Sequence, residues 1–146
     1  MSTEEKTIRQ TYNVFMSDDD ILVFELLGGV NSVEENVLQA QLIKNDIESF
    51  IEEGKNIKLL VDLTLTGQNA HYPTPAAKKF YNDIINNNKI EKIGFVIKNF
   101  LLNSIIRFII GSKKMSESKV FKTKKEAISW LKNSNQSAEN LHIEPE

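Results

Sequence analysis

Residues 57–63, IKLLVDL, form an apolar run in which apolar and polar positions do not alternate. A run of that kind reads as a strand covered on both faces, as in parallel sheets flanked by helices. A polar loop, 64–73, follows it and contains Gly67. Thr74-Pro75 then stands directly before a helical pattern. Thr74 suits an N-cap, and Pro75 suits the first turn, where a missing N–H costs nothing. In open α/β sheets the rim beyond such strand ends is where ligands and partners dock.

The rest of the chain fits around that unit. Residues 11–17 and 21–28 are rich in β-branched and aromatic types, and Asp18-Asp19-Asp20 between them predicts a hairpin turn. Asn31-Ser32 offers an N-cap for a helix predicted over 32–53, with Val33, Val37, Ala40, Ile47 and Ile51 on one face and Gly54 as C-cap. A second helix covers 75–86. A strand follows at 92–98, with Gly94 marking a close backbone approach. An apolar helix spans 99–110, and a short strand lies around Val120-Phe121. Thr123 and Glu126 form a capping box for a last helix, which docks through Ala127, Ile128, Trp130 and Leu131. The order β-β-α-β-α-β-α-β-α predicts an α/β fold with a mixed, mostly parallel five-stranded sheet and helices packed on it. No repeat or linker divides the chain, so residues 11–133 read as one domain. Residues 1–10 show no periodic pattern and 134–146 are polar and acidic, so both are expected to be flexible tails.

Composition narrows the possible functions. The 146 residues carry a formal charge of −2, so nothing global draws the chain to nucleic acid. There is no cysteine, which excludes disulfides and thiolate nucleophiles. The opening MSTEEKTIRQ lacks the apolar core of a signal peptide, and the apolar stretch 100–110 contains Arg107 and is too short to span a bilayer. A cytoplasmic location is the default. No ligand spacing surrounds Asp62 and no phosphate-binding glycine loop is present, so neither a metal nor a cofactor is expected.

Three stretches carry a family resemblance: KLLVDLT with its loop, GFVIKN running into an apolar helix, and the closing VFKTKKEAISWL. With the element order, they resemble the STAS fold of anti-sigma-factor antagonists, and more closely the SpoIIAA-like family, whose fold is shared with lipid-carrying CRAL-TRIO domains. The resemblance covers roughly residues 11–132. It implies a non-enzymatic binding or regulatory module that acts through a protein partner or a small apolar, lipid-like ligand. In anti-sigma-factor antagonists the loop after the third strand carries Asp-Ser-x-Gly with a phosphorylated serine. Here that region reads GQNAHYPTPAAK without the motif, and Thr74 is the nearest hydroxyl to the helix start.

Candidate contact residues fall in three groups. Thr66, His71, Tyr72 and Thr74 lie in the loop ahead of a helix N-terminus, where amide groups favour an anion. The alternative is a solvated loop in which Thr74 merely caps. His71 has neither a nucleophile nor an orienting partner in the pattern, so catalysis is not expected, and a hydrolase using it is the weaker alternative. Phe100, Leu101, Ile105, Phe108 and Ile109 belong to a helix that is apolar nearly all round, more than one sheet face needs. The surplus predicts a partner, a homodimer or a lipid surface. Lys113, Lys114, Lys119 and Lys122 follow it as a patch suited to an anionic membrane surface, each contributing about 1 kcal/mol there. The patch lacks interleaved aromatics, so nucleic acid is not expected.

Overall fold

The computed structural model describes residues 2–51, 55–65, 73–98, 103–107 and 117–133. Five strands form one sheet: β1 (Tyr12–Met16), β2 (Ile21–Leu26), β3 (Ile57–Asp62), β4 (Ile90–Val96) and β5 (Ser118–Phe121). Their spatial order is β1-β2-β3-β4-β5. β1 and β2 pair antiparallel, and every later pair is parallel. The fold expected from the element order is the one observed.

The helices are α1 (Thr3–Arg9), α2 (Val33–Glu48), α3 (Pro75–Ile85), α4 (residues 103–107, as far as described) and α5 (Lys124–Lys132). From β2 onward the strands are laid down in one direction, so crossovers of one hand place the connecting helices on one face. That face holds the larger core, with Leu22, Leu59, Ile93 and Phe95 from the sheet against Ile43 and Ile47 of α2, Ile84 of α3 and Ile105 and Ile106 of α4. α5 is not a crossover and covers the other face. There Ala127, Trp130 and Leu131 pack on Ile21, Val23, Leu60 and Val96. β3 therefore contributes Leu59 and Val61 to one core and Leu60 to the other, which is why its sequence does not alternate. Gly94 lies beneath α5, where an added Cβ would come within 3.3 Å of Leu131 Cδ1, as its place in a strand suggested.

Several boundaries differ from expectation. Residues 1–10 were expected to be a tail, yet Thr3–Arg9 form a helix capped by Ser2 that buries Ile8 to 1% exposure. Arg9 Nη1 and Tyr12 OH both donate to Asp46 Oδ2 on α2, closing the N-terminal segment onto the domain. α2 ends at Glu48 rather than at 53: Phe50 N donates to Ile47 O and Ile51 N to Glu48 O, the i→i+3 bonds of a tightening last turn. Phe50 and Ile51 still pack on the core after the helix has stopped, so the apolar period outlasts the helix. β4 runs over Ile90–Val96 rather than 92–98: it starts two residues early because Ile57 N donates to Lys89 O and draws that end into the ladder, and it stops two residues early, before Ile97. Gly54, the expected C-cap, lies outside the described residues.

Candidate functional site

The parallel strands β2, β3 and β4 end at a common rim, and α2, α3 and α5 start there because each follows a strand. Several polar contacts fix that rim. Asp62, at the end of β3, is buried, and its Oδ1 accepts from Thr64 N at 2.9 Å and Thr64 Oγ1 at 2.6 Å. This is the loop carboxylate of an Asx turn. Among the described residues no group of three or more His, Cys, Asp or Glu side chains is placed to hold a metal.

Thr74 caps α3, accepting from Ala77 N at 3.2 Å. Its own N–H and hydroxyl are bonded to Asn36 Oδ1 on α2, at 3.3 and 3.2 Å. Gln39, buried on the same helix, donates to Thr11 Oγ1 at 2.8 Å and to Gly28 O at 3.3 Å, which ties down the segment leaving β2. On the α5 face, Glu25 and Asp62 are register neighbours, and Glu25 accepts from Asn13 at 3.1 Å and from Lys124 at 3.4 Å. None of Asn36, Gln39 or the Glu25–Lys124 pair was singled out from sequence. Each joins positions far apart in the chain, and no local pattern reports them.

Around this rigid frame, large apolar side chains face solvent. Val33 is 62% exposed at the first position of α2, Leu65 is 53% exposed after β3, and Leu27 is exposed after β2. A cleft of about 380 Å³ lies at the opposite end of the strands, where β2, β3 and β4 begin, lined by Asp19, Asp20, Lys55, Lys58, Glu91 and Lys132 with apolar neighbours. Its charges interleave, and Lys132 pairs with Asp19 at 3.4 Å, so it presents no single sign to a ligand. Beside it Lys92 donates to Trp130 O at 3.3 Å and Asn133 O at 2.7 Å. Burial, and then the neighbouring Lys58, holds the Lys92 ammonium below the usual lysine range.

Of the loop residues named from sequence, only Thr74 is described; Thr66, His71 and Tyr72 lie outside the described residues. Phe100, Leu101, Phe108, Ile109, Lys113 and Lys114 also lie outside them. Ile105, expected on a contact surface, is instead a core residue packed with Ile106 on the sheet, while Ser104 and Arg107 are exposed. That stretch of α4 therefore divides into a buried and a solvated side. Lys119 folds over the Phe121 ring at 5.3 Å and Lys122 is exposed. Among the described residues, no helix is long and apolar enough to cross a membrane.

A crystal structure from Shewanella loihica PV-4, an uncharacterized protein of the DUF3478 family with a SpoIIAA-like fold, is similar to this chain. The TM-score is 0.51 at 17% identity, over 82% of this chain and 91% of that one. The likeness establishes the SpoIIAA-like fold. No curated protein matches the chain. The family model that matches is not a STAS family but the Domain of unknown function DUF7793, over residues 15–135, and the chain belongs to that family.

Proposed function

We propose that this chain is a non-catalytic binding module that docks a protein partner on the rim beyond the C-terminal ends of β2 and β3. The observation that carries this reading is the exposure of Leu27, Val33 and Leu65 around a frame held by Asn36–Thr74 and Asp62–Thr64. Exposed apolar side chains on a hydrogen-bonded frame suit partner recognition, because little ordering entropy remains to be lost on binding. The strand order supports a macromolecule over a small ligand. It never reverses among the parallel strands, so the rim has no switch-point crevice of the kind that takes small molecules in doubly wound sheets.

The test compares the parent with Val33→Asp and Leu65→Asp in quantitative affinity capture from the source cells, followed by binding measurements on the purified candidate partner. Both variants are expected to keep the parent's stability and to lose at least tenfold in affinity. Equal affinity in parent and variants would overturn the reading. Native mass spectrometry of freshly purified protein showing a retained small apolar molecule would replace it with a carrier function.

A further inference from the structure

We propose that the cleft where β2, β3 and β4 begin binds a small monoanionic carboxylate through the Lys58 ammonium. Of the six charged side chains that line it, Asp19, Asp20, Lys55, Glu91 and Lys132 are exposed, and only Lys58 is half-buried. Exposed charges of mixed sign are screened by water and salt, whereas a partly buried charge is screened much less. The charge that governs the cleft is therefore a cation. Among the described residues the Lys58 ammonium has no hydrogen-bond or ion-pair partner.

The strand register makes that cation costly to the fold. Ile57 lies opposite Ile90, but the register shifts at the next residue and sets Lys58 opposite Lys92. Glu91, which carries the opposite charge, is passed over. Two ammonium groups thus stand side by side on adjacent strands, where like charges destabilise. Lys92 has an outlet: its ammonium donates to Trp130 O and Asn133 O and lies 4.7 Å from the centre of the Trp130 ring. Lys58 has none. An unpaired, partly buried charge beside a like charge weakens a domain, and a site that breaks a local rule in this way is where a ligand belongs.

The surroundings select the ligand. An anion supplies the missing partner of Lys58, and a single negative charge matches a single unpaired cation. The exposed Asp20 and Glu91 flank the cleft and repel extended polyanions, which excludes nucleic acid and anionic membrane as its occupants. A volume of about 380 Å³ lies at the small end of the range for organic ligands. Met16 and Phe50, partly open to solvent in the same cleft, offer contacts to an apolar body. A carboxylate on a small apolar or aromatic body meets these conditions, and a phosphate dianion does not. The cleft is open and provides one unpaired cation, so binding is weak and freely reversible.

Nuclear magnetic resonance titration of the full chain with phenylacetate tests this. Saturable shifts are expected at Ile57, Lys58, Glu91 and the indole of Trp130, the single tryptophan. Neutral phenylacetamide and phenyl phosphate should each bind at least tenfold more weakly. Lys58→Met should lose at least tenfold in affinity while its thermal midpoint equals or exceeds the parent's, because a repulsion has been removed. Lys58→Arg, which keeps the charge, should retain binding within about threefold. The rim and the cleft lie at opposite ends of β2 and β3, so Val33→Asp should leave phenylacetate binding unchanged whether or not the rim docks a partner. Absence of saturable binding would overturn the proposal. So would equal binding of phenylacetamide, parent-like affinity in Lys58→Met, or tighter binding of phenyl phosphate, which would assign the cleft to phosphate.

Discussion

Asn36 on α2 and Thr74 at the start of α3 meet through one oxygen, Asn36 Oδ1, which accepts from both the Thr74 N–H and the Thr74 hydroxyl. The same hydroxyl accepts from Ala77 N, so it is committed in both directions. The N-termini of two adjacent helices are thereby fixed to each other at the rim.

Thr74→Ala is expected to lose the cap and the Asn36 bond together, costing about 1–2 kcal/mol, while Thr74→Ser retains both. Asn36→Ala should cost about 1 kcal/mol, since it leaves the Thr74 cap in place. The two changes share a contact, so the double variant should fall short of their sum by about 0.5 kcal/mol or more. Urea unfolding of the four proteins measures this, and strict additivity would show that the helices are held by packing alone.

Ile8 tests whether the first helix belongs to the domain. The side chain is almost fully enclosed among the core residues that include Tyr12 and Ile43. Ile8→Ala should cost about 2–4 kcal/mol, a value no tail residue could give. Denaturant unfolding decides it, and a cost near zero would mean that α1 detaches before the domain unfolds.

Most of the fold was legible because its signals are local. The continuous run at 57–63, the caps at Ser32, Thr74 and Thr123, and the Asp18–Asp20 turn each follow from a few adjacent residues. Asp20 shows why that turn needs such a residue: its φ of 61° lies in the left-handed region, which aspartate tolerates better than most side chains. α1 was not legible because seven residues with one buried side chain give no measurable period. The end of α2 was misread because Phe50 and Ile51 continue the apolar spacing after the backbone has turned. At the rim the loop and the Thr74 cap could be read, but the Asn36 buttress could not. It joins positions 38 residues apart, and nothing near Asn36 distinguishes it from any polar helix residue.

Tyr12 gives the domain an alkaline limit. Burial, and then its hydrogen bond to the Asp46 carboxylate, pushes the phenol above its ordinary value of 10.0. A folded-state pKa raised in this way means that the unfolded chain releases its proton first. The stabilisation is complete below about pH 10 and is lost as pH rises toward the folded value. Tyr12→Phe is expected to cost about 1–2 kcal/mol at neutral pH, through the lost bonds to Asp46 and Arg9. The gap to the parent should narrow above pH 10, because the variant has one fewer phenol to keep neutral. Tyr81, also raised by burial, leaves the variant a residual decline. Urea midpoints across the alkaline range check this, and parallel curves for the two proteins would refute it.

Gly94 sets how closely α5 approaches the sheet. A Cβ at this position would meet Leu131 Cδ1 at 3.3 Å, Leu131 Cγ at 3.5 Å and Ala127 Cβ at 3.6 Å. Leu131 is fully buried, so it can yield only a few tenths of an ångström. Replacing a strand glycine by alanine also lowers the entropy of the unfolded chain, worth about 0.4–1 kcal/mol. The two effects are of similar size, so Gly94→Ala should lie within about 1 kcal/mol of the parent. Gly94→Val places two further methyl groups beyond that Cβ, against Leu131 and Ala127, and overpacking of that kind costs about 1–3 kcal/mol. Truncating the obstacle should reverse the order: with Leu131→Ala already present, Gly94→Val fills vacated space and should restore part of the lost stability. Thermal or urea unfolding of the four proteins measures the coupling. A valine that costs the same in both backgrounds would mean that α5 shifts outward as a unit instead of resting on Gly94.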